Sequence, residues 1–230
     1  MYLKENCMKS VIRKAFLSNI LLAVLELFAV SWMMSGRSGG VLSGSGIRVL
    51  KYFTIDSNIF LGVAAFIAAV NQYLILKGKM EKVPSYVYLL KLSGTAAVTV
   101  TLLVTVFFLE PTMGKIFGYL ALFSYSNFFL HLLNPISAIV TWMCFEKNDA
   151  LSLRSVLIAT IPTVIYALYY VMEVLLHTDN GSIMPGYDWY GFFAWGLKSA
   201  AIVIPLFLLF TFLVCLVLYR LGKSKMKHTV

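Results

Sequence analysis

Residues 200–219 read AAIVIPLFLLFTFLVCLVLY, a run of 20 residues with no charged side chain, closed by Arg220. At about 1.5 Å of rise per residue, such a run crosses the ~30 Å hydrocarbon core of a bilayer as one α-helix. Working back from it, five more apolar stretches of spanning length fall near Ala15–Met34, Tyr52–Leu76, Tyr86–Leu109, Gly118–Phe145 and Val156–Leu176, before the last at Ala200–Tyr219. The predicted fold is therefore all-α: a polytopic transmembrane bundle of six helices. The fourth stretch is too long for an untilted crossing, which puts its first turns in the outer interface.

Composition excludes the main alternative. Of 230 residues, 60% are hydrophobic and 13% charged, with a mean hydropathy of +0.84. A soluble domain of this size has no means of covering that much apolar surface. Residues 1–230 form a single domain, because no Pro/Gly/Ser-rich or charged segment is long enough to be a linker. The net charge of +9 does not point to nucleic acid, since the basic residues sit mainly in short loops between spans, where they orient a membrane protein. One side holds thirteen: Lys4, Lys9, Arg13, Lys14, Lys77, Lys79, Lys82, Lys147, Arg154, Arg220, Lys223, Lys225 and Lys227. The other has five, Arg37, Arg48, Lys51, Lys115 and Lys198, with Lys91 left near a helix boundary. This bias predicts both termini in the cytoplasm. The basic start and long apolar run of Met1–Met34, without a clear Ala-x-Ala-like site, read as a retained signal anchor. Cys7, Cys144 and Cys215 lack metal-like spacing and read as free thiols. The Gly/Ser-rich Ser35–Gly46 loop is expected to be flexible, and Tyr187, Trp189, Tyr190, Phe192, Phe193 and Trp195 suit an interfacial aromatic belt.

Polar side chains inside spans mark candidate sites, because lipid makes each one costly. On the second helix Thr54, Ser57 and Asn58 share a face at i, i+3, i+4, while Asp56 is turned roughly 200° from Thr54. Thr54 can act as a nucleophile, or it can simply bond the carbonyl one turn back. On the fourth helix Asn127, His131 and Asn134 share a face, and Pro135 leaves the His131 carbonyl without its helical donor and favours a kink. His131 can be a general base, a proton relay, a metal ligand, or one half of an interhelical hydrogen bond. On the fifth helix Tyr166 can donate into the bundle, and Glu173 and His177 lie at the outer end. No His-Glu-x-x-His or Gly-x-x-x-x-Gly-Lys motif is present. Three histidines are too few for the paired axial ligands of a multi-haem cytochrome, and no cofactor or metal is predicted.

Lys51-Tyr52-Phe53-Thr54 resembles the Lys-Tyr-Leu-Thr signature of the androgen-induced and androgen-dependent membrane proteins, six-span hydrolases of fatty-acid esters of hydroxy fatty acids. The longer phrase through Ile55-Asp56-Ser57-Asn58 is similar to a bacterial branch of that group, which implies a bacterial cell membrane. Pro162 with Tyr166, Tyr169 and Tyr170 resembles a pattern in its fifth helix. The residues after His131, Leu132-Leu133-Asn134-Pro135, depart from the eukaryotic hydrolases. The resemblance implies a Thr54 nucleophile and a His131 base acting on a lipid or acyl-ester substrate. Ser57, Asn58, Asn127, Asn134 and Tyr166 are then candidates for binding substrate or its oxyanion. A transporter or binding membrane protein without hydrolysis is the alternative, motivated by polar residues beside Pro135, Pro162 and Pro205. The predicted boundaries place His131 about twelve residues into its span and Thr54 two, an offset of roughly 15 Å. A site joining them therefore requires the second helix to start near Arg48 and the fourth near Phe123.

Overall fold

The computed structural model describes residues 2–146, 150–193 and 195–224; Lys147, Lys225, Lys227 and His228 lie outside them. Six helices are long and apolar enough to cross a membrane: α1 Met8–Met34, α2 Phe53–Leu76, α3 Ser85–Phe117, α4 Ser126–Phe145, α5 Leu153–Leu176 and α6 Lys198–Lys223. Each predicted stretch has its helix. Even connectivity puts both chain ends at one end of the bundle, the terminal end, and the loops after α1, α3 and α5 at the far end.

The third and fourth boundaries differ from expectation. α3 runs on through Glu110 and Pro111 to Phe117, and Gly118, at φ +94°, ends it. A π-helical turn over Thr105–Leu109 precedes Pro111 and takes up the register its missing N–H would break. Residues 118–125 are short turns, so α4 starts at Ser126 rather than Gly118. α2 starts at Phe53, after a 3₁₀ turn over Gly46–Lys51. His131 is thus five residues past the start of its span and Thr54 one past the start of its own, which removes most of the offset.

α3 is the centre. Its most apolar stretch is 61% buried against 22% for α6, and it packs on α2, α4, α5 and α6. Small residues make this possible: Ala64, Ala65, Ala68 and Ala69 of α2 are buried, as are Gly94, Ala96 and Ala97 of α3. At the closest approach a Cβ on Gly94 would lie 3.0 Å from Leu61 Cα. Gly94→Ala is expected to destabilise the protein by ~1–3 kcal/mol through overpacking, read as a lower thermal midpoint in detergent. An unchanged midpoint would mean that α2 and α3 are not in such close contact. The outward faces carry exposed Leu21, Leu27, Phe66, Leu168 and Leu206, as lipid-facing surfaces should.

The Ser35–Gly46 loop is anchored, not free. Ser38 is buried and its hydroxyl bonds that of Ser126, and the Leu42 carbonyl accepts from Asn127 Nδ2 at 3.0 Å. Gly40, at φ +100°, lies where a Cβ would meet Ser124 Oγ at 2.7 Å, so glycine there permits the docking.

Candidate functional site

The loop after α5 covers the start of α2. A two-residue hairpin pairs β1 (Thr178–Asp179) with β2 (Ser182–Ile183), and the chain then returns over the bundle with Trp189 and Tyr190. The Phe53 N–H, an orphan donor at the α2 N-terminus, donates to Tyr190 Oη at 2.7 Å. Tyr166 Oη donates to the Lys51 carbonyl at 2.6 Å and accepts from Trp189 Nε1 at 3.2 Å. Tyr170 bonds Asp188, which also accepts from the Phe193 N–H at 3.0 Å. The expected aromatic belt is therefore a hydrogen-bonded cap. Burial pushes the Tyr190 phenol up to about 12, so it is neutral at physiological pH. Tyr190→Phe should cost about 1–2 kcal/mol by removing the acceptor for Phe53. Below about pH 10, the free phenol value, the phenol is neutral both folded and unfolded and its contribution does not change with pH; above that, burial of the phenolate costs stability as pH rises towards 12, even though Phe53 still donates to it. Thermal midpoints at pH 6 and pH 9 should therefore fall equally in the variant.

Beneath this cap lies a cavity of about 330 Å³ at the far end of the bundle. Thr54, Asn127, His131 and Tyr190 reach its wall, with apolar side chains such as Met33, Leu109 and Met113 making up much of the rest. A larger space of about 460 Å³ between α1 and α2 is an almost wholly apolar groove, with Glu26 as its one ionisable neighbour. The far-end cavity is the one whose wall carries a hydroxyl, an amide and a histidine together.

Thr54 and His131 line this cavity together, but among the described residues no hydrogen bond joins them. Ser57, Thr99 and Thr101 bond carbonyls three or four residues back along their helices; the Thr54 hydroxyl makes no such bond. His131 Nδ1 lies 2.9 Å from Thr105 Oγ1 of α3, and Nε2 takes no hydrogen bond among the described residues. Both members of this pair sit in π-helical turns, Thr105 in Thr105–Leu109 and His131 in Phe129–Leu133, each ahead of a proline. π-turns of this kind recur at functional sites. The expected orphan at the His131 carbonyl moves by one residue: Asn134 N–H closes on Phe129, Pro135 then faces Leu130, and the Leu130 carbonyl accepts from Asn58 Nδ2 at 3.3 Å.

Of the other predicted binding residues only Asn127 reaches the cavity. Ser57 Oγ is 3.0 Å from the Thr54 carbonyl and 3.4 Å from Thr101 Oγ1. Asn58 donates to the Thr54 carbonyl at 2.7 Å, and Asn134 Nδ2 donates to Glu26 at 2.7 Å. Tyr166 belongs to the cap. Glu173 and His177 pair with each other at 3.8 Å at the far end, and the His177 ring stacks on Tyr187. Among the described residues no three His, Cys, Asp or Glu side chains converge to hold a metal ion.

Sequence reasoning missed Thr105, whose role depends on a contact between helices. It also missed a second set: Asn19, Glu26, Gln72, Lys91 and Glu146, all buried where four helices meet. An acid in the middle of an otherwise apolar first span was the signal available for Glu26.

The fold and site thus define a six-helix integral membrane protein with a capped cavity carrying a threonine and a histidine. Compared with known proteins, the chain matches no family model, no curated protein and no solved structure.

Proposed function

We propose that this protein is a membrane-embedded hydrolase of lipid acyl esters, with Thr54 as nucleophile and His131 as general base. The observation that supports the reading is the shared cavity: a hydroxyl with no hydrogen bond among the described residues and a histidine reach one partly apolar space. In this reading Nδ1 carries the ring proton and donates to Thr105, which leaves the Nε2 lone pair to accept the Thr54 proton as the hydroxyl attacks the ester carbonyl. The protonated ring then gives that proton to the leaving alkoxide, and water attacks the acyl-threonine in the second half. Catalytic hydrogen bonds often tighten only in the substrate complex, and in this reading Thr54 and His131 close on each other when an ester binds. The acyl chain lies along the apolar wall, and Asn127 is the side-chain amide placed to donate to the oxyanion. The resemblance of Lys51-Tyr52-Phe53-Thr54 to the six-span ester hydrolases supports the same assignment. Purified protein should release fatty acid from acyl esters; with no release from any chain length, the reading fails.

A second reading, a transporter or binding protein without hydrolysis, is favoured by one observation, the buried polar set Asn19, Glu26, Gln72, Lys91 and Glu146 within the bundle. Uptake of substrate into proteoliposomes without ester cleavage would select it. For either reading we propose both termini in the cytoplasm, from the thirteen-to-five distribution of basic residues. A C-terminal fusion to a phosphatase active only outside the cytoplasm should be inactive in cells; an active fusion would reverse the orientation.

A further inference from the structure

The buried polar groups form two hydrogen-bonded clusters, one around Glu146 and one around Glu26, with Lys91 as the electrostatic link between them. At the terminal end Glu146, just past α4, accepts from Asn19 Nδ2 of α1 at 2.7 Å, and Asn19 also donates to Gln72 of α2 at 3.2 Å. Lys91 of α3, fully buried, lies 3.8 Å from Glu146 and interacts electrostatically with Glu26 as well. Glu26 of α1 accepts from Asn134 of α4 at 2.7 Å, and Asn134 is 3.5 Å from Asn58 of α2. Asn58 donates to the Thr54 carbonyl, and Thr54 is on the cavity wall. From His131 to the end of α4 at Phe145, next to Glu146, is fourteen residues, about 21 Å of a ~30 Å hydrocarbon core.

Two features go beyond what helix packing needs. First, Asn19 Oδ1, Glu26 Oε1, Lys91 Nζ, Thr95 Oγ1, Asn134 Oδ1 and Glu146 Oε2 are buried with no hydrogen-bond partner among the described residues. Buried groups of this kind take their partners from internal water, which also relays protons. Second, the charges do not balance. Among the described residues the contacts of Glu26 and Glu146 include one cation, Lys91, while the neighbours on α2, Asn58 and Gln72, are neutral. A buried net charge is strongly disfavoured, so one carboxyl is neutral when a proton is bound. Glu146 has both Lys91 and the Asn19 amide beside it, which leaves Glu26 to take the proton.

We propose that this polar core is a proton path between the terminal end and the far-end cavity, with Glu26 as the group that binds and releases the proton. A proton entering from water at one end converts the Glu26 carboxylate to the neutral acid and leaves along internal water to the other end, with no covalent change. The proposal is independent of ester hydrolysis and holds for either reading above.

The test is proton flux into phosphatidylcholine–phosphatidylglycerol vesicles containing the full chain and a trapped pH dye, driven by a potassium–valinomycin potential and measured without ester. Wild-type vesicles should acidify faster than protein-free ones. Glu26→Gln, which keeps the size and the Asn134 bond but does not release a proton, should return the rate to the protein-free level, and Glu26→Asp should retain flux. If E26Q does not reconstitute, Asn134→Leu, which removes the next polar group towards the cavity, is expected to give the same loss. Wild-type flux equal to empty vesicles, or undiminished flux in the reconstituted variants, overturns the proposal.

Discussion

His131→Ala is expected to lower kcat/KM for acyl-ester hydrolysis by about 10²–10⁴-fold, the usual worth of a positioned general base. The loss should fall on kcat, since the ring contributes little to holding an acyl chain. Thr54→Ala should abolish turnover through the acyl-enzyme, and the double variant should be hardly worse than either single one, because residues acting as one unit are strongly non-additive. Thr105→Val is a milder test: it removes the 2.9 Å contact at Nδ1 and leaves the ring in place, so kcat should fall by less than in His131→Ala. Steady-state kinetics on purified, monodisperse variants would read all four. Additive losses in the double variant would mean that Thr54 and His131 do not act in one step.

The largest stability effect is expected at Lys91. Lys91→Met removes the cation between Glu26 and Glu146 and leaves their carboxyls without a counter-charge in the core, where breaking a buried pair costs about 3–5 kcal/mol. Thermal unfolding in detergent should show a large fall in midpoint. Lys91→Arg keeps the charge and should fall less, although the larger guanidinium must fit a site with no exposed surface. A methionine variant as stable as the wild type would mean that both carboxyls are neutral and that no ion pair is held there.

How much of this could be read beforehand follows from what lipid demands. The six spans were legible because a bilayer requires about 20 apolar residues per crossing, a pattern carried by single stretches of chain. The face of Asn127, His131 and Asn134 was legible for the same local reason: helical spacing alone places them together. The third stretch ends at Leu109 on hydropathy, short of the helix's true end at Phe117, because the sequence does not show that a π-turn at Thr105–Leu109 absorbs Pro111. The start of α4 was misread because residues 118–125 are apolar enough for a helix, while positive φ at Gly118, Leu120 and Tyr125 turns the chain there. Lys91 was placed at a boundary by its nearness to Tyr86. Its burial depends on Glu26 and Glu146, more than fifty residues away in either direction, and no local pattern carries that contact. The His131–Thr105 pair was hidden in the same way. The shared wall of Thr54 and His131 became visible only once the caps and turns had fixed where α2 and α4 begin.

In the proposed mechanism Thr54 forms a covalent acyl intermediate with His131 as its base. The most direct measurement is mass spectrometry of the protein quenched during turnover of an activated acyl ester, followed by peptide mapping. One added acyl group is expected on the peptide that carries Thr54, missing in Thr54→Ala and formed far more slowly in His131→Ala. Ester cleavage with no acyl adduct, or an adduct on another residue that persists in Thr54→Ala, would contradict it.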